Sequence, residues 1–98
     1  MTAKYGLDRN KAVPALIGNP DVFLIIAGLA GPAKDIGNMT DKAFLFGGAM
    51  GGAVTAALGL ALAQPDKRVV CVTGDGDLLM SLGSLATVGV MKPANFSV

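Results

Sequence analysis

The sequence predicts an α/β domain: a parallel sheet with helices on both faces. Three observations predict it. Short apolar runs alternate with helix-forming segments along the chain. The two clearest of those runs are apolar at every position, as in strands covered on both sides. Gly-, Pro- and Asn-rich turn signals separate strand from helix each time.

Taken in order, Asp8 to Ile17 is predicted as a short helix, with Asp8 near its start and Gly18-Asn19-Pro20 ending it. Pro14 fits that helix only if it falls in the first turn. Asp21 to Ala27 is a continuous apolar run after a turn and reads as a fully buried strand. Gly28 to Gly37 reads as loop with a short helix, and Ala43 to Phe46 as a short strand. The glycines of Gly47-Gly48-Ala49-Met50-Gly51-Gly52 require either unusual dihedrals or close backbone approach. Ala53 to Gln64 is a helix whose only polar residues are Thr55 and Gln64, so it is expected to be buried nearly all round. Pro65-Asp66-Lys67 turns the chain into Arg68 to Thr73, the clearest strand, β-branched and apolar on both faces. Gly74-Asp75-Gly76 breaks that strand. Asp77 to Val88 is predicted as one helix, with Asp77 near its N-terminus and Leu78, Leu82 and Leu85 on one face. Pro93-Ala94-Asn95 is a turn, and Phe96-Ser97-Val98 the start of a strand.

Composition narrows the function classes. The 98 residues allow one small domain, and 52% hydrophobic against 15% charged leaves few charges to cover a free surface. An extensive interface is therefore expected. The net charge of +1 with no basic cluster argues against nucleic acid. No His is present, so a general base or metal ligand must be a carboxylate, an amide or the backbone. Cys71 is alone in an apolar run and reads as a buried hydrophobe, which fits a reducing, cytoplasmic setting. Met1 to Asn10 lacks the apolar stretch of a signal peptide. Ala43 to Ala63 is uncharged and about as long as a membrane span, with small-residue pairs at Gly47/Gly51 and Gly48/Gly52. Its glycines, its alanines and the charges that follow favour a helix packed closely inside a protein.

The chemistry-bearing unit is strand, Gly-Asp-Gly, helix, from Val69 to Leu82. Ligands of parallel α/β folds bind beyond the carboxyl ends of strands. Glycines there admit a phosphate, and the following helix offers free N–H groups. A carboxylate in the same turn suits a divalent cation bridging to that phosphate, and Mg²⁺ takes one or two carboxylates with phosphate and water oxygens. Asp75 is the candidate ligand. A dinucleotide fingerprint starting at Gly74 fails at Leu79, no Lys follows as a P-loop requires, and an EF-hand starting at Asp75 also fails at Leu79. Gly-Asp-Gly alone is equally an ordinary turn, Asp77 a helix cap and Met50 a core residue at a helix start.

The longer segment narrows these alternatives. Gly48-Ala49-Met50-Gly51, the stretch from Ala57 to Val70, and Gly74-Asp75-Gly76 with Asp77 to Val88 together resemble the pyrophosphate-binding (PP) domain of thiamine-diphosphate-dependent decarboxylases. The run from Leu78 to Thr87 looks especially like sulfopyruvate and phosphonopyruvate decarboxylases, and less like acetolactate synthase. The resemblance covers most of the chain from Asp21 on. It implies thiamine diphosphate and Mg²⁺ as cofactors, with Asp75 as a metal ligand. Gly74, Gly76 and Asp77 would lie at the diphosphate, Gly76 and Asp77 through their backbone. Met50 would sit under the bent cofactor, and the Gly48 carbonyl would accept a hydrogen bond from the aminopyrimidine. The family's motif closes on an Asn beyond the position where this chain ends, and Asn95 matches the family's Pro-x-Asn turn instead. Residues 1–98 are thus expected to be a partial PP domain, apparently truncated or one piece of a split subunit. The family's activating Glu belongs to a pyrimidine-binding (PYR) domain and has no match here. The expected role is the diphosphate- and Mg-binding part of a 2-oxo acid decarboxylase, inactive alone and completed by a PYR partner in a homo- or hetero-oligomer. The alternatives are an acetolactate-synthase-like carboligase fragment and a non-catalytic scaffold that keeps the fold.

Overall fold

The structure, a computed structural model, describes residues 6–98; the sequence expectation that Met1–Asn10 is not a signal peptide falls in its first half outside the described residues. The elements run α1 (Arg9–Ile17), a 3-10 turn (Pro20–Val22), β1 (Leu24–Ala27), α2 (Gly31–Met39), β2 (Phe44–Leu45), α3 (Ala53–Ala63), β3 (Val69–Val72), α4 (Asp75–Met80), α5 (Ser84–Met91) and β4 (Phe96–Ser97). The four strands form one sheet in the order β2-β1-β3-β4, and every pairing is parallel. The expected α/β architecture is therefore present.

Each face of the sheet buries its own cluster. On one side Ile26, Val69 and Cys71 pack against Ala53, Val54, Ala57 and Ala61 of α3. On the other Ile25 and Ala27 pack against Val13 and Ile17 of α1 and Ile36 of α2, with Val70 and Val72 beside them. This alternation is why β1 and β3 are apolar throughout: successive side chains point to opposite faces, and both faces are covered.

Several boundaries differ from the sequence expectation, each for a local reason. Asp8 caps α1 by accepting the Asn10 N–H at 3.0 Å, as its position suggested. Pro14, however, lies in the interior of α1 rather than its first turn. The strand expected from Asp21 starts only at Leu24. Asn19 accepts the Asp21 N–H and Pro20 opens a 3-10 turn, which leaves Asp21 and Val22 exposed. The short helix expected within Gly28–Gly37 is a full α-helix, α2, running on to Met39. β2 is an edge strand with Phe44 and Leu45 both exposed. α3 is buried along one face and not all round, since Thr55, Gly59, Leu62 and Ala63 are exposed. The apolar stretch of residues 43–63 is thus divided among a strand, a glycine loop and an 11-residue helix, and no helix among the described residues is long and apolar enough to cross a membrane.

The helix expected over Asp77–Val88 is two helices, α4 and α5, separated at Ser81–Gly83. Ser81 leaves the helical conformation and donates its hydroxyl to the Gly51 carbonyl at 2.5 Å, so a tertiary bond competes with the helix at the point where Gly83 weakens it. Only Leu78 of the expected leucine face joins the core, whereas Leu82 and Leu85 are exposed. Asn95 ties the far end of the domain. Its side-chain amide donates to the carbonyls of Ala61, Gln64 and Lys67 at 3.0, 3.1 and 2.8 Å, closing the C-terminus of α3 against the entry to β4.

Cys71 is a buried free thiol on β3. Burial, with the nearby charge of Asp77, pushes its pKa up to about 12. The folded protein therefore holds the thiol proton that the unfolded chain releases near the ordinary value of 9.0, so this group's contribution to stability is full below about pH 9 and is lost as the pH climbs toward 12. At pH 8 a disulfide reagent should leave Cys71 unmodified in the native protein and label one thiol per chain after denaturation. Rapid native labelling would contradict the burial.

Candidate functional site

The carboxyl ends of β1 and β3 open on a cavity of about 470 Å³. That volume lies within the range of small-molecule sites, roughly 300–1,000 Å³. Its walls are Arg9 and Val13 of α1, Leu29 and Ala30 after β1, Gly31 and Pro32 at the start of α2, Met50, and the continuous stretch Val72 to Asp77. Five of the six residues singled out in the sequence thus meet here: Met50, Gly74, Asp75, Gly76 and Asp77. The sixth, Gly48, lies on the exposed part of the Met50 loop and is not among the lining residues.

The Gly-Asp-Gly turn is built as a helix start. Gly74 is the extended residue before α4, and the first helical hydrogen bond runs from the Leu78 N–H to its carbonyl at 2.9 Å. The amides of Asp75, Gly76 and Asp77 precede that bond and have no helical acceptor. Asp75 is exposed, and its carboxylate makes no hydrogen bond to a described residue. Added side-chain carbons at Gly74 would meet nothing within 4 Å, and at Gly76 only the Met50 methyl at 3.8 Å. Neither glycine is required by packing, and neither has positive φ. What their lack of a side chain leaves open is the approach to the backbone from the cavity.

Asp77 is neither the cap nor an open ligand. It is the third residue of α4 and is buried at 5% exposure. One carboxylate oxygen accepts the Gly51 N–H, and the other accepts the Thr73 hydroxyl at 2.7 Å. With Ser81 holding the Gly51 carbonyl, both backbone groups of Gly51 are gripped from α4 and the turn after it. Gly51 has φ +90, a region that residues with side chains rarely adopt, which is why a glycine follows Met50. The grip carries Met50 to Gly76.

Arg9, the Leu29–Pro32 segment at the start of α2 and Thr73 were not singled out by the sequence. The strand-end rule that picks out the turn after β3 applies equally after β1, where Gly28 and Gly31 flank the loop. Nothing local to Arg9 marked it, because its partner Asp35 is 26 residues away.

The donor set fits a magnesium–diphosphate group. Among the described residues no three His, Cys, Asp or Glu side chains could hold a metal together. A cation here would rest on Asp75 plus oxygens of phosphate and water, which is the usual habit of Mg²⁺.

A parallel α/β sheet with an open Gly-Asp-Gly turn at a strand end, beside a second glycine loop, has the form of an α/β domain that takes its ligand beyond the strand ends. The family profile for the C-terminal TPP-binding domain of thiamine pyrophosphate enzymes matches residues 32–94, and the chain belongs to that family. Among its relatives is sulfopyruvate decarboxylase subunit beta of Methanothermobacter thermautotrophicus, 36% identical over 94 residues, covering 94% of this chain and 50% of that protein. The same subunit of Methanocaldococcus jannaschii is 37% identical over 92 residues, covering 92% and 47%. Phosphonopyruvate decarboxylase of Streptomyces viridochromogenes is 56% identical over 55 residues, covering 56% of this chain and 14% of that protein. The chain spans about half the length of the two beta subunits.

Proposed function

We propose that residues 1–98 are part of one PP domain that binds the diphosphate end of thiamine diphosphate through Mg²⁺, in a 2-oxo acid decarboxylase completed by a PYR-domain partner. The observation that carries this reading is the meeting of Met50 with Gly74, Asp75 and Gly76 at one cavity beyond the strand ends. The relatives' names, decarboxylases of sulfopyruvate and phosphonopyruvate, support a 2-oxo acid as the substrate class. Their description as a beta subunit supports assembly with another chain. So do the exposed apolar side chains of Leu79, Met80, Leu82, Leu85, Val90 and Met91 on α4, α5 and the turn between them, since a free surface rarely carries so many.

Each residue has a distinct task in this reading. Asp75 holds the metal with its open carboxylate. The amides of Gly76 and Asp77 donate to diphosphate oxygens, strengthened by the positive end of α4 and undisturbed by side chains at Gly74 and Gly76. Met50 provides a deformable apolar support for the cofactor's rings. The Gly48 carbonyl is turned to the aminopyrimidine once the partner encloses the exposed loop. When bound, the cofactor supplies the electron sink for loss of CO₂ from the 2-oxo acid. The chain's part is binding and orientation, in a cytoplasmic assembly.

Asp75→Ala tests the assignment directly. Calorimetry on the assembled protein should show thiamine diphosphate binding weakened at least about tenfold, or 1.4 kcal/mol. Removing Mg²⁺ with a chelator should weaken the parent and leave the variant almost unchanged. Equal affinities for parent and variant with Mg²⁺ present would refute the metal role of Asp75.

A further inference from the structure

We propose that Arg9 is an oxyanion-binding residue of this cavity, held in place by Asp35. The proposal rests on the diphosphate-site reading above and adds to it a cation contributed by the first helix. Arg9 lines the cavity together with Thr73, Gly74, Asp75 and Gly76. Its Nε donates to Asp35 Oδ2 at 2.5 Å. The side chain of Asp35 is 2% exposed, that of Arg9 53%. The two ends of the pair are thus placed differently: the carboxylate is inside the α1–α2 interface and the guanidinium is at the cavity.

Burying a carboxylate is costly unless it is paired, and among the described residues this one is paired through a single side-chain donor. A guanidinium carries five N–H donors in a planar fork. Asp35 takes the Nε–H, and neither Nη makes a hydrogen bond to a described residue. Gly31 lies against the guanidinium, where a side-chain carbon would come within 2.8 Å of Cζ. Ion pair and close contact together fix the plane of a side chain that would otherwise sample many rotamers. A pre-oriented fork whose outer donors take no described residue as acceptor, beside open backbone amides, suits a tetrahedral or planar oxyanion. Two sources offer one: the diphosphate of the cofactor, and the acid group of the substrate.

The test is calorimetry on the assembled protein with three probes: Mg²⁺–inorganic diphosphate, Mg²⁺–thiamine diphosphate, and sulfopyruvate or phosphonopyruvate added to cofactor-loaded protein. Arg9→Gln leaves a buried, unpaired carboxylate and could fail through folding alone. The double variant Arg9→Gln/Asp35→Asn removes both charges and is expected to regain the thermal stability that the single variant loses. If binding of inorganic diphosphate and of thiamine diphosphate stays weakened about tenfold in the double variant, Arg9 binds the diphosphate. If those two are unchanged and only the acid probe weakens, Arg9 binds the substrate's acid group. If the folded double variant binds all three as the parent does, or if the parent binds none of them, the proposal is overturned and Arg9–Asp35 is an ion pair of the fold only. The two readings fail differently: a parent that binds thiamine diphosphate independently of Asp75 defeats the metal assignment, while an unaffected double variant defeats Arg9.

Discussion

Asp77→Ala should destabilise the fold by about 3 kcal/mol, because it strips the partner from two part-buried donors at once. The Gly51 N–H and the Thr73 hydroxyl both donate to this carboxylate, and hydrogen bonds to a charged group are worth roughly 1.5–3 kcal/mol each. For a domain this size about 3 kcal/mol is a large share of total stability, and each kcal/mol lowers Tm by roughly 4–8 °C. Asp77→Asn should cost markedly less, since an amide oxygen still accepts from Gly51 and the Thr73 hydroxyl can turn to accept from the amide nitrogen. Urea unfolding followed by circular dichroism would rank the three proteins. Similar stability for Ala and parent would mean that the carboxylate does not hold the loop. The same ranking should appear in cofactor affinity, because the grip on Gly51 is what carries Met50 to Gly76. A variant that loses stability without losing affinity would separate the two roles.

That grip also marks the limit of what the sequence made legible. The sheet could be read because β1 and β3 are short apolar runs between turn signals, as strands covered on both faces are. The glycine turn at Gly74–Gly76 could be read because it follows such a strand directly. The job of Asp77 could not: a carboxylate three residues into a helix looks like a cap, and only the tertiary approach of Gly51 shows otherwise. The division of α4 from α5 has the same origin. Leu78, Leu82 and Leu85 have helical spacing, yet Ser81 is drawn out of the helix toward the Gly51 carbonyl. The pairing of Arg9 with Asp35 likewise joins residues 26 apart on successive α-helices. Local periodicity reports which face of an element is apolar. It carries no record of which polar groups meet across the interface once those faces are packed.

Gly28→Ala should be more damaging still, and it probes the same junction from the opposite side. Gly28 follows β1 and is buried, and its N–H completes the ladder to the Val72 carbonyl at 2.7 Å. Its φ is not positive, so an alanine could adopt the backbone conformation. The obstacle is space. A Cβ at Gly28 would overlap Asp77 Oδ2, lie 2.7 Å from Thr73 Oγ1 and lie 3.3 Å from the Thr73 Cα. None of these can retreat easily. The carboxylate is held by Gly51 and Thr73, and the Cα belongs to the chain leaving the central strand. Relief must come from parting β1 from the end of β3, which displaces both walls of the cavity. Overpacking of this kind costs about 3 kcal/mol at the upper end of its usual range, and here the shift would also strain the bonds of Asp77. A double-mutant cycle isolates the contact. In an Asp77→Ala background the nearest overlap is gone while the Thr73 contacts remain, so Gly28→Ala should cost about 1 kcal/mol less than it does in the parent. Strict additivity would show that the two sites do not touch. Coupling of the expected sign would establish that β1, the Met50 loop and the start of α4 are locked through one buried carboxylate.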